Sequence, residues 1–310
     1  MMKVVIVGPG AMGCLFAGYF AKKNQHEIWI LDNNARRAKK LKENGIKIET
    51  EKGSFSVKIN ATARAADIKA PDLLIISVKS YDTEEALKAI EPVLTKDSRV
   101  LTLQNGLGNI EMMSEIVGSD RVLGGVTSHG ATLLGEGYTR HAGIGDTVIG
   151  NISGKLTVSM RPVRELFNLS GFATRLTKDV NSVIWSKLII NAGINAISAL
   201  TRLRNGALIE SQGTREVVSM AVTEAVRLAK RKRIKLVYED PIAKVESVCR
   251  ATASNLSSML QDVLKKRRTE IDYINGAIVR QAKSLSILTP TNVILTDLVK
   301  SIESAYSKQV

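Results

Sequence analysis

Hydrophobic and polar positions fall into two textures along the 310-residue chain. In the first, short and nearly continuous apolar runs occur at KVVIV (3–7), EIWIL (27–31), LLIISV (73–78), RVLTL (99–103) and RVLGGV (121–126). Amphipathic stretches separate them at 11–23, 35–44, 82–94 and 108–117. Strands covered on both faces read this way, because neither side meets water. The alternation predicts an α/β fold: an N-terminal Rossmann-type, doubly wound and mainly parallel sheet over residues 1–178. One interruption, IKIETEKGSFSVKI (46–59), alternates with period two around a glycine-containing turn and predicts a hairpin insertion. A further pair of strands is expected at 139–150 and 173–177. From residue 179 onward helical periods dominate, at 179–200, 206–234, 240–262, 270–285 and 291–307, punctuated by Gly206 and Pro290. This predicts an all-helical C-terminal domain over 179–310, joined without a Pro/Ser-rich linker, with a cleft between the halves.

At 44% apolar and 24% charged the chain has the composition of a globular protein with an ample core. Its two cysteines, Cys14 and Cys249, are far apart and in no metal-ligand spacing. They imply a reduced, cytoplasmic protein without structural disulfides, and no metal site. The apolar start, Val4 to Val7, is too short for a signal peptide or membrane span, so no membrane partner is expected. The formal charge of +14 concentrates in RLAKRKRIK (227–235) and KKRR (265–268). Aromatic residues make up only 4% and do not interleave with these runs, which speaks against nucleic acid and for solvated helical faces.

The first candidate chemistry is Gly8-Pro9-Gly10-Ala11-Met12-Gly13, set between a predicted strand and a predicted helix. In that context the pattern suits a dinucleotide: Gly8 for a tight turn, Gly10 for close approach to a pyrophosphate, Gly13 for helix–strand packing. The helix N-terminus supplies N–H donors to the anion. Asp32 ends the second strand, 19 residues after Gly13. It can accept hydrogen bonds from the adenosine ribose and repel a 2′-phosphate, which argues for NADH or dual use; alternatively it caps the following helix. Arg36 and Arg37 could hold a 2′-phosphate and admit NADPH. Two further strand ends bring Ser77, Lys79 and Ser80, then Gln104, Asn105 and Gly106, to the same edge. Lys79 could meet a phosphate or ribose, and Asn105 the nicotinamide end or the substrate; ordinary loop polarity is the other reading of each.

The second is NSVIWSKLIINAGINAIS (181–198), a largely apolar helical stretch in which Lys187, Asn191 and Asn195 recur at four-residue steps. Such steps align three polar groups over about 12 Å of one helix face. A lysine there can protonate a ketone oxygen while the asparagines grip the substrate. Otherwise the lysine snorkels to water and the amides bond neighbouring helices.

GPGAMG, QNGLG, WSKLIINAGINAISAL and SSMLQDVLKKRRTEIDYINGAIV, in this order and spanning essentially the whole chain, resemble the ketopantoate reductases (2-dehydropantoate 2-reductases). The resemblance implies a Rossmann domain, a helical domain, and reduction of 2-dehydropantoate, a small 2-keto acid, to (R)-pantoate in pantothenate and coenzyme A biosynthesis. The family usually uses NADPH, and its members are often homodimers through the helical domain. Carried across, the resemblance implies Lys187 as general acid and Asn191, Asn195, Asn205 and Ser258 as substrate ligands. It further implies Glu270 as a catalytic group beside the amine or substrate that also meets the cofactor, Asn105 at both substrate and cofactor, and Lys79 near the cofactor phosphates. Asp32 departs from the basic residue the family often places after its second strand. Ser258 and Glu270, twelve residues apart, can face one ligand only if the helix breaks near 264–269, where Thr269 could cap a new start. Two other readings are a related dehydrogenase for another 2-keto acid and a nucleotide-binding module without turnover.

Overall fold

The computed structural model describes residues 1–308. The chain divides into two compact units, one of residues 1–104 and 109–180, the other of residues 105–108 and 181–310.

The first unit opens with β1 (Lys3–Val7), α1 (Ala11–Lys22), β2 (Glu27–Leu31) and α2 (Ala35–Asn44). There follow β3 (Ile46–Thr50), β4 (Gly53–Val57), β5 (Asn60–Thr62), β6 (Leu73–Ile76), α3 (Thr83–Ile90), β7 (Arg99–Thr102) and α4 (Asn109–Val117). It closes with β8 (Val122–Thr127), β9 (Gly130–Gly135), β10 (Tyr138–Gly143), β11 (Thr147–Gly150), α5 (Met160–Leu169) and β12 (Thr174–Thr177). The main sheet runs β12-β11-β8-β7-β6-β1-β2-β5. All its pairings are parallel except β8 with β11, as a Rossmann-type sheet requires. Val7 pairs with Leu31 on one side and Ile76 on the other, and Ile76 with Thr102. The carboxyl ends of β1, β2, β6 and β7 therefore lie level, and the loops after them leave from one edge. Phe16 and Phe20 of α1 pack edge-on against Phe167 and Phe172 in the core of this unit.

Residues 46–59 do form the expected hairpin, but it belongs to a second sheet, β4-β3-β10-β9. The single run expected over 139–150 is split between the sheets: β10 joins the hairpin and β11 the main sheet. Neither β9 nor the short β5 was legible, since β9 carries two glycines and no alternation and β5 has three residues.

The second unit contains α6 (Val180–Thr201), α7 (Ala207–Glu210), α8 (Gln212–Arg231), α9 (Pro241–Ala251), α10 (Ser258–Leu264), α11 (Asn275–Lys283) and α12 (Pro290–Ser304). The stretch expected as one helix over 240–262 is two, parted after Ala251. α6 has the length and composition of a membrane span, yet 72% of its apolar window is buried within the protein: it is a core helix. Glu224 of α8 caps α12 from outside, its carboxylate accepting from the backbone N–H of Thr291 (2.8 Å) and Asn292 (3.0 Å).

Candidate active site

The glycine loop follows β1 because the chain must turn under the neighbouring strand. Gly8 has φ +102°, and a Cβ there would lie 2.9 Å from Val78 N. At Gly13 a Cβ would stand 2.0 Å from the Gly8 carbonyl oxygen, so only glycine lets α1 start this close to β1. Gly10 differs. A Cβ at Gly10 would meet nothing nearer than Ser77 O at 3.7 Å, so the protein itself has room for it. Gly10 is itself the N-cap of α1, which has no side-chain cap and no acid in its first turn. With Ala11 and Met12 half-exposed there, the loop is a cradle into which a pyrophosphate fits.

Asp32, at the end of β2, is buried and already engaged. Arg37 grips it with both arms, Nε to Oδ2 at 2.5 Å and Nη2 to Oδ1 at 2.6 Å, and Asn34 N–H adds a bond to Oδ1 at 3.1 Å. The carboxylate holds the Arg37 guanidinium even more firmly charged than usual. Capping of α2 falls to Asn34, which accepts from Arg37 N–H. Arg36 and Lys40 both pair with Glu136, at 2.9 and 2.8 Å. Lys79 is half-buried directly before the 3₁₀ turn Ser80–Asp82 on the same edge. Gln104 ties two of the edge loops together, donating to Val78 O (2.7 Å) and Thr83 Oγ1 (2.8 Å).

In the helical unit, Lys187, Asn191 and Asn195 lie along α6 as the spacing predicts. Asn195 is buried, while Lys187 and Asn191 keep some surface. Burial pushes the Lys187 amine down from 10.5 to about 8, and the negative charge of Glu270 opposes that fall. Desolvation is the larger effect, so the net shift is downward. Asn191 Nδ2 donates to Asn105 Oδ1 at 3.4 Å. Asn105 thus sits with the helical unit although it follows a strand. The reason is local: Leu107 is buried in the helical core and its N–H donates to Tyr273 O at 2.9 Å.

Glu270 is buried and precedes the 3₁₀ turn Ile271–Tyr273. The chain does break between α10 and this turn, as sharing one ligand with Ser258 demands, and Thr269 Oγ1 accepts from Ile271 N–H at 3.2 Å. Ser258 is the exposed first residue of α10. Its neighbour Ser257 is the structural one of the pair, buried, capping Leu260 N–H (3.1 Å) and bonded to Ser198 Oγ of α6 (2.5 Å). Asn205 is buried and donates to Thr252 Oγ1 at 2.9 Å. This bond joins two interhelical segments and uses one of its donors, leaving Oδ1 unpaired. Sequence reasoning placed Gln104 at the strand end without its partners and missed Ser257 and Asn275; partners distant in sequence decide the use of each. Among the described residues no group of three or more His, Cys, Asp or Glu is arranged to hold a metal ion.

The family model described as ketopantoate reductase PanE/ApbA matches residues 4–154, and its C-terminal counterpart residues 179–303. The 2-dehydropantoate 2-reductase of Halobacterium salinarum is 36% identical over 300 residues, 96% of this chain and 98% of the relative. That of Pyrococcus horikoshii is 36% identical, covering 98% of both chains. Among solved structures, a PanE/ApbA family ketopantoate reductase from Ralstonia eutropha JMP134 superposes with a TM-score of 0.91 at 31% identity, covering 99% of this chain and 100% of that one. D-mandelate dehydrogenase with NADH and anilino(oxo)acetate superposes with a TM-score of 0.92 at 27% identity, with the same coverage.

Proposed function

Because the chain belongs to the ketopantoate reductase family, we propose that it reduces 2-dehydropantoate to (R)-pantoate with NADH or NADPH, Lys187 giving the proton. The single observation that carries the role of Lys187 is its place on α6, whose next two turns present Asn191 and Asn195; burial there pushes its amine down to about 8. A bound nicotinamide supplies the hydride to the keto carbon. The Lys187 ammonium protonates the ketone oxygen and stabilises negative charge developing there. Glu270 keeps the amine charged. Asn105, Asn191, Asn195, Asn205 and the exposed Ser258 hydroxyl hold the carboxylate and hydroxyl of the keto acid. Backbone N–H groups from Gly10 to Gly13 hold the pyrophosphate, and Lys79 takes a cofactor phosphate. The test is steady-state turnover of 2-dehydropantoate by Lys187→Ala, expected to fall by about 10²–10⁴ with cofactor binding unchanged.

A second substrate reading has its own support, the likeness to D-mandelate dehydrogenase. On that reading the same lysine and asparagines serve an aryl-bearing 2-keto acid. Comparing kcat/KM for 2-dehydropantoate and phenylglyoxylate separates the two, and the first is expected to lead.

The enzyme works in the cytoplasm as a homodimer through its helical unit. Supporting this pairing, α12 turns Ile294 and Leu298, one helical turn apart, to solvent at 58% and 48% exposure. Sedimentation of wild type and Leu298→Glu tests it: the variant is expected to be monomeric.

A further inference from the structure

We infer that the turn Glu270–Asn275 is a bracket that aims Glu270 at the Lys187 helix, with Asn275 and Gly106 as the positioning residues that fix its two sides. The inference rests on the reading of Lys187 above. On one side, the fully buried Asn275 donates from Nδ2 to Ala192 O of α6 (3.1 Å) and to Asn292 Oδ1 of α12 (3.0 Å). Ala192 lies between Asn191 and Asn195, so this bond pins the turn to the helix that carries the polar row. Asn292 is itself held, donating to Ala221 O (3.1 Å) and to Glu224 Oε2 (2.7 Å). The anchor is therefore rigid rather than a lone amide.

On the other side, Tyr273 O accepts from Leu107 N–H, and a Cβ on Gly106 would come within 2.3 Å of that same oxygen. Gly106 also has φ +88°, a left-handed conformation that favours glycine. Its lack of a side chain lets the Asn105 segment lie directly on the turn. Between the two fixings the turn is wound tightly, the Glu270 carbonyl accepting from both Tyr273 N–H (3.0 Å) and Ile274 N–H (3.1 Å). These bonds fix the Glu270 backbone within the turn. Glu270 is the charged group whose field acts on the Lys187 amine, so where the turn sits governs how strongly that amine holds its proton.

The test uses the full-length enzyme and two variants, Asn275→Ala and Gly106→Ala, with folding checked by circular dichroism. Each is expected to lower kcat by about ten- to a hundredfold, with a smaller change in KM for the cofactor. Each is also expected to move the alkaline limb of the kcat profile, and the Lys187 amine titration read by NMR of labelled lysine, to lower pH by about half a unit or more. Folded variants with wild-type pH limb and wild-type lysine titration would overturn the bracket, as would a kcat loss with both unmoved, which marks a merely structural role. Should either alanine variant fail to fold, Asn275→Ser, which shortens the side chain away from Ala192 O and adds no atoms, decides in its place. Wild-type turnover by Lys187→Ala would instead defeat the underlying reading, so the two failures are distinguishable.

Discussion

Arg37 closes both arms of its guanidinium on Asp32, leaving the acid at the end of β2 paired before any ribose arrives. An unpaired acid there repels a 2′-phosphate; one neutralised by arginine repels it less, and the arginine itself attracts it. On the proposed cofactor reading, the pair would set the balance between NADH and NADPH. Removing each partner should move that balance in opposite directions. Arg37→Ala exposes the acid, and the ratio of kcat/KM for NADH over NADPH is expected to rise by about tenfold or more; Asp32→Asn frees the arginine, and the ratio should fall similarly. Shifts in the same direction for both would contradict this account.

Two glycines of the first loop predict different failures. Gly10 has room for a methyl group within the protein, whereas Gly13 does not. Gly10→Ala should keep the wild-type melting temperature but weaken NAD(P)H binding about tenfold or more, because the methyl occupies the anion's approach. Gly13→Ala should lower stability by about 1–3 kcal/mol through overpacking against the Gly8 carbonyl. Thermal melts and cofactor fluorescence titrations distinguish them.

Away from the site, His129 Nδ1 bonds His141 Nε2 at 3.0 Å, and His141 Nδ1 bonds Tyr19 at 3.0 Å. Burial pushes His129 down from 6.5 to about 4, and the neighbouring imidazole adds to the effect; His141 is lowered in the same sense. The unfolded chain then binds protons that the folded one refuses between about pH 6.5 and 4. Stability from this pair is complete above the unfolded value and lost as pH falls through that window, by about 2 kcal/mol after allowing for partial solvent access. Urea midpoints at pH 7 and 5 should show the loss, and His129→Leu should flatten it.

Much of this was legible in the sequence, for physical reasons that differ by element. Strands β1, β2, β6 and β7 are buried on both faces, so their apolar runs announced them. The row Lys187, Asn191, Asn195 was visible because polar groups in an apolar helix break a strong pattern. What stayed hidden depends on partners remote in sequence. No local signal says that Arg37 will take both oxygens of Asp32, that Leu107 will carry Asn105 onto the helical unit, or that Ser257 rather than Ser258 will be buried. The four strands of the second sheet come from two distant segments, and only the 46–59 hairpin had local alternation to show.

Glu270 opposes the fall of the Lys187 amine, so Glu270→Gln should lower its pKa further below about 8. The alkaline limb of kcat is then expected to move to lower pH, with the maximal rate at acidic pH less affected than the rate at pH 8. A limb that stays in place would separate Glu270 from proton donation.

The most direct measurement is kcat for 2-dehydropantoate across pH 6–10 in wild type and Lys187→Ala. A general acid titrating near 8 predicts a wild-type rate that holds below that pH and falls above it. It also predicts a variant rate lower by about 10²–10⁴ and flat across the same limb, at unchanged cofactor affinity. A variant that keeps wild-type turnover, or keeps the wild-type alkaline limb, would contradict Lys187 as the proton donor.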